Sequence, residues 1–83
     1  MQVKKNKTHL QVLRKQVEEI DTKIASLLRN RADLVTKIGE NKTHHHLPVK
    51  NANLEKEKLS RLKTDYEKNV FKKIFSESRK IQL

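Results

Sequence analysis

The sequence has no cysteine. Disulfides and thiolate metal sites are therefore excluded, and a reducing, cytoplasmic setting fits. It has one glycine, Gly39, and one proline, Pro48, so it holds no glycine-rich phosphate loop. Two phenylalanines and one tyrosine are its whole aromatic complement, which leaves a single chain with a thin core. No apolar run is long enough for a membrane span or a signal peptide. No segment reads as a strand or an internal repeat. No Ser/His/Asp constellation points to nucleophilic catalysis.

What is present is one long amphipathic stretch, Leu10–Lys42. Leu10, Leu13, Val17, Ile20, Ile24, Leu27, Arg31, Leu34 and Ile38 recur in steps of three and four. All but Arg31 are aliphatic, a sustained a/d repeat that predicts a helix. At ~1.5 Å per residue that helix is about 50 Å long and cannot bury its stripe against itself. Oligomerisation is expected. Arg31 places a permanent cation in the stripe. Either it snorkels to solvent or an anion meets it there.

The flanking chain reads as follows. Residues 1–7 form a disordered basic tail, and residues 8–83 form one helical domain. Thr8 and Gln11 make a capping box for the long helix. Gly39 and the polar run Asn41–His46 mark its end, and Pro48 forbids continuation. A second helix spans Ala52–Lys63, with Asn51 or Asn53 as N-cap and Leu59, Leu62 and Tyr66 facing inward. A third spans Tyr66–Gln82, with Asp65 as N-cap. Its stripe is Val70, Phe71, Ile74, Phe75, Ser78, Ile81 and Gln82. The expected fold is all-α: one long helix and two short ones, in chains that associate through the long helix.

The net charge of +10 implies an anionic partner. Arg31 and Lys42 lie three turns apart, which is ~20° of rotation and about 16 Å. They could close on the two ends of one small anion. Arg14 lies about 26 Å before Arg31 and on another face. In an antiparallel helix pair with its twofold near residues 23–28, Arg14 of one chain falls beside Arg31 and Lys42 of the other. Symmetry then gives two composite sites. Ser78 and Gln82 continue an apolar stripe with hydrogen-bonding groups, and Glu55 sits at the start of the second helix. The adjacent histidines His44, His45 and His46 cannot easily face one ion, so no metal site is expected. A basic nucleic-acid-binding helix protein is a remote reading, since no recognition motif accompanies the charge. Most of the lysines read as solvated surface.

Several segments together resemble a known family, the all-helical (AroQ-type) chorismate mutases. They are Leu-Arg-Lys-Gln-Val-Glu-Glu-Ile-Asp at 13–21, Leu-Leu-Arg-Asn-Arg at 27–31 and Ile-Gly-Glu-Asn-Lys at 38–42. Pro48-Val49 and Ser78-Arg79-Lys80-Ile81-Gln82 complete the pattern. The resemblance implies an intertwined homodimer whose active sites are shared between chains. Its substrate is the dianion chorismate, rearranged to prephenate in aromatic amino-acid biosynthesis without a cofactor or a metal. It implies that Lys42 and Gln82 are catalytic, facing the ether oxygen. Arg14 from the partner chain, Arg31, Asn51, Glu55 and Ser78 would bind substrate, with Glu55 holding the ring hydroxyl. Two positions depart from the family pattern. Leu54 stands where an arginine is usual, and Asn51 where an acid is usual, which implies weakened substrate binding. Two alternatives share the fold: an isochorismate pyruvate lyase and a weakly active regulatory domain.

Overall fold

The computed structural model describes residues 2–46, 48 and 51–82. Met1 of the expected tail and Val49 of the Pro48-Val49 pair lie outside the described residues. Three helices follow one another: α1 (Gln2–His44), α2 (Ala52–Ser60) and α3 (Asp65–Ile81). The described residues contain no strand. The expected all-α chain of one long and two short helices is thus observed. The chain divides into two compact units, Met1–Arg31 and Ala32–Leu83, with the boundary inside α1. Among the described residues, no helix is long and apolar enough to cross a membrane.

The first unit is helical from Gln2 to Arg31. The helix starts ahead of Thr8, so the capping box expected there is not its N-terminus. Residues 2–7 contain no glycine or proline to stop helix propagation. The aliphatic stripe lies open in the single chain, with Leu27 65% exposed and Val17, Ile20 and Ile24 similarly placed. Thr22 settles its hydroxyl by donating to the Glu18 carbonyl at 3.0 Å.

The second unit holds the core. Its buried apolar side chains are Val35 on α1, 6% exposed, and Phe75 on α3, 4% exposed. Gly39 on α1 and Ser78 on α3 are buried with them. Gly39 is not the helix end that the sequence suggests. It lies inside α1 and has no positive φ. Its role is close approach: a Cβ there would stand 2.7 Å from both the Cα and the carbonyl oxygen of Gln82. The left-handed residue at the end of α1 is instead His46, with φ of 57°. The His45 and His46 N–H groups donate back to the Asn41 and Thr43 carbonyls at 3.0 and 3.2 Å. This closes the helix as a glycine would, at a cost of about 1 kcal/mol for the Cβ.

Asn51 caps α2, its Oδ1 accepting from the Leu54 N–H at 3.1 Å, and this decides between the two candidate asparagines. The helix ends at Ser60 rather than Lys63. The reason lies in the next residues. Thr64, not Asp65, is the N-cap of α3, with Oγ1 accepting from the Glu67 N–H at 3.1 Å. The Glu67 carboxylate reaches back to the Thr64 hydroxyl at 3.0 Å and the Lys63 N–H at 3.5 Å. This Thr-x-x-Glu box commits residues 63–64 to a non-helical turn.

On α3, Phe71 and Ile74 are half-buried, as are Leu59 on α2 and Leu62 just after it, and α2 packs against α3. The Phe71 and Phe75 rings lie 5.9 Å apart, and Lys58 Nζ stands 6.0 Å from the Phe75 centroid. Tyr66, expected to face inward, is 81% exposed. It belongs to the first turn of α3, ahead of the covered stretch. Val70 and Ile81 also stay exposed in the single chain. On the outer face of α3, Lys80 hydrogen-bonds Glu77 at 2.7 Å and holds its carboxyl below the ordinary value. That exposed pair adds little stability.

Replacing Gly39 with alanine tests the close approach. Alanine raises helix propensity by up to about 1 kcal/mol, while an overpacked contact costs ~1–3 kcal/mol. Gly39→Ala is expected to lower the melting temperature by several degrees. An unchanged or raised melting temperature would show that the Gln82 end of α3 yields freely.

Candidate active site

The candidate residues of the second unit sit on three helical supports. Lys42 projects from the last turn of α1, one turn beyond Gly39. Gln82 is the C-cap of α3, its backbone N–H donating to the Arg79 carbonyl at 3.3 Å. Lys42 Nζ donates to Gln82 Oε1 at 3.0 Å. Gln82 Nε2 reaches the Ser78 carbonyl at 3.4 Å. The side chain of Gln82 is thereby held at both ends of its amide. Both Lys42 and Gln82 are half-buried, so their hydrogen bond is only partly screened by water.

Ser78 lies one turn before Gln82 on the same helix. It is buried, and its Oγ donates to the Ile74 carbonyl at 2.6 Å. Such a back-bond satisfies the hydroxyl donor. Glu55, in the first turn of α2, is the fourth group. Arg79 Nη1 donates to both of its carboxylate oxygens at 2.7 Å. The pair joins α2 to α3 next to Ser78, with side chains 30% and 23% exposed. Asn51 serves as the α2 cap, which fixes its Oδ1 on the backbone. Leu54 is 45% exposed and fills no core position.

The structure therefore brings Lys42, Gln82 and Ser78 together directly. Glu55 joins them through Arg79, the neighbour of Ser78. Arg14 and Arg31 belong to the first unit. Arg14 is exposed there, and Arg31 is half-buried and engaged in an interaction. An open groove of about 530 Å³ is lined by Thr36, Glu40, Thr43, His44, Ile81 and Gln82. Of the candidate residues only Gln82 borders it.

Two positions of the cluster are not assigned by the sequence pattern. Arg79 stands in the closing Ser-Arg-Lys-Ile-Gln segment, which gives it no role of its own. The signal for it is Glu55, an acid near apolar positions that needs a cation. Gly39 reads in the sequence as a helix stop, although it sits three residues before Lys42 inside the matching segment. Among the described residues, no group of histidine and acidic side chains could hold a metal ion. The rings of His44 and His45 pack edge to face at 5.1 Å.

A helical lysine–glutamine pair, a buried serine one turn away and a glutamate paired with arginine on the adjacent helix form one polar cluster. The sequence pattern of chorismate mutase type II matches residues 13–83. The chain belongs to the chorismate mutase type II family. The cluster lies wholly within that match. A solved structure of a conserved hypothetical protein from Pyrococcus furiosus is also similar, with a TM-score of 0.84 and 34% identity. The likeness covers 92% of this chain and 97% of that one. No curated protein sequence matches the chain.

Proposed function

We propose that the chain is a chorismate mutase, an isomerase that converts chorismate to prephenate by an intramolecular Claisen rearrangement. The observation that carries this reading is the Lys42–Gln82 hydrogen bond, within a chain of the chorismate mutase type II family. The reaction breaks a C–O bond and forms a C–C bond within one molecule, with no nucleophile or proton transfer. The protein's task is to hold the flexible dianion in its compact, chair-like conformer. It must also stabilise the negative charge that grows on the departing ether oxygen.

In this reading Lys42 and Gln82 are the donors to that oxygen. Substrate displaces Gln82 Oε1 from the ammonium, and the amide turns its N–H group to the same oxygen. A donor held in place before the reaction needs no reorganisation as charge develops. Ser78 lies beside a carboxylate and Glu55 accepts from the ring hydroxyl. Asn51 lies at the ring end, where a neutral amide stands in place of the acid usual in the family. Arg31 and the partner chain's copy of Arg14 grip carboxylates with their planar forks. The exposed aliphatic stripe of α1 supports an intertwined homodimer, which is what allows Arg14 to act across chains.

Leu54 can neither donate a hydrogen bond nor offset charge. We read the protein as a mutase that binds substrate more weakly than relatives with arginine there. The same fold also serves a second reading, pyruvate elimination from isochorismate, which shares the sequence pattern with the first. Offering the purified protein each substrate and identifying the product separates the two. Conversion of chorismate to prephenate is expected. Pyruvate and salicylate from isochorismate, with chorismate untouched, would replace the mutase reading.

Three further outcomes are expected. Lys42→Ala should lower kcat by about 10²–10³, the range for losing one oxyanion-type donor. Gln82→Ala should lower it by less, since it removes a neutral donor. A change confined to KM would place neither residue in the transition state.

Arg14→Ala and Lys42→Ala should each be nearly inactive alone. Mixed and refolded together, they should recover roughly a quarter of wild-type activity, because half the dimers are mixed and each has one intact site. A mixture as inactive as its parents would remove Arg14 from the partner's site.

Leu54→Arg should raise kcat/KM by about tenfold or more, mainly through KM, as expected for one added charge-assisted hydrogen bond. Its melting temperature should hold, because Leu54 is not a core residue of the chain. Lost stability without a kinetic gain would mean that the helix α2 face is assigned wrongly.

A further inference from the structure

The proposed site contains an acid where its ligand is a dianion. Glu55 is needed to accept from a neutral hydroxyl, yet its own charge repels both carboxylates of the substrate. An uncompensated carboxylate in a half-buried site is also costly in the empty enzyme. Arg79 meets both difficulties. Its Nη1 donates to both Glu55 oxygens at 2.7 Å, and the two side chains are only 30% and 23% exposed. One nitrogen therefore serves both acceptors, which sets the positive charge on the axis of the carboxylate while leaving further lone pairs on each oxygen. Arg79 makes no other side-chain hydrogen bond or ion pair among the described residues, so its charge is committed to Glu55. The guanidinium also comes from α3, the helix that carries Ser78 and Gln82. It ties the α2 end of the cluster to the α3 end.

We propose that Arg79 is a positioning residue for Glu55, neutralising and orienting that carboxylate so that it can face the ring hydroxyl of a dianionic substrate. The inference rests on the mutase reading above. Arg79 acts on substrate binding through Glu55 and touches no reacting atom. Its removal should therefore matter only while position 55 is charged. The contact uses a single nitrogen of Arg79, so lysine can restore most of it, although as a more mobile point charge.

The test is a double-substitution cycle measured with chorismate. Arg79→Met keeps the length and apolar stem of the side chain and removes the charge. It is expected to raise KM about tenfold or more, with a smaller change in kcat and little change in melting temperature. Arg79→Lys should recover most of that loss. In a Glu55→Gln background, itself less active than wild type, adding Arg79→Met should change kcat/KM by less than twofold, since the neutral amide needs no counter-charge. Equal losses in the wild-type and Glu55→Gln backgrounds would overturn the proposal and place Arg79 on the substrate or in the fold. A lowered melting temperature with KM unchanged would also overturn it, leaving a structural ion pair. If Arg79→Met does not fold, the same cycle run with Arg79→Lys decides, because a few-fold rise in KM must then vanish in the Glu55→Gln background. A wild-type protein that does not convert chorismate would defeat the mutase reading itself, and this inference with it. A wild-type protein that does, with KM insensitive to Arg79, defeats this inference alone.

Discussion

The close approach of Gly39 to Gln82 is the contact on which the second unit's cluster depends. A Cβ at position 39 would come within 2.7 Å of the Gln82 backbone, so the two chain segments can touch only because no side chain stands between them. Gln82 caps the C-terminal end of α3. A helix end is the part most prone to fray. Seating it against α1 gives the Gln82 side chain a fixed origin. Lys42 emerges one turn beyond Gly39, and its 3.0 Å hydrogen bond to Gln82 follows from that seating. The donor pair assigned to the ether oxygen is in this sense a consequence of a missing side chain.

The electrostatics of the cluster follow a consistent rule. Each polar side chain drawn toward the apolar faces has a named partner. Ser78 donates to Ile74, Gln82 is held between Lys42 and Ser78, and Glu55 is paired with Arg79. Satisfied groups of this kind keep their geometry, and unsatisfied ones would relax or draw in water. In the proposed mutase, Lys42 and Glu55 are thus held before substrate arrives, and the Gln82 amide turns as it binds. For a rearrangement that needs orientation and one stabilised oxygen, this is the relevant form of catalysis. In the proposed mutase, the surplus of basic residues elsewhere would draw the dianion toward the protein at a rate that falls with salt.

The first unit presents the opposite situation. Its aliphatic stripe from Leu10 to Leu27 is exposed in the single chain. An open row of leucine, isoleucine and valine along a helix is a surface in search of a partner. In the proposed homodimer a second copy of the stripe covers it, and the same packing carries Arg14 into the partner's site. Assembly and catalysis would then be one event, since each site requires residues of both chains.

The strong periodicities were legible in the order of residues. The 3.6-residue repeat of α1, the breaks at Pro48 and near Thr64, and the stripe through Phe71 and Phe75 define three helices without strands, because helix formation is governed by local spacing. The family is likewise written in residues 13–83. Helix ends were less legible. The Thr64–Glu67 box outcompeted Asp65 as a cap, and α1 started before Thr8, since several weak local signals compete there and small differences decide. What only the tertiary structure decided were the long-range pairings: Gly39 against Gln82, Lys42 with Gln82, and Arg79 with Glu55. Sequence separation carries no information on which buried acid meets which base. That choice is made when α2 and α3 pack, and it made Arg79 a member of the site and Gly39 its foundation.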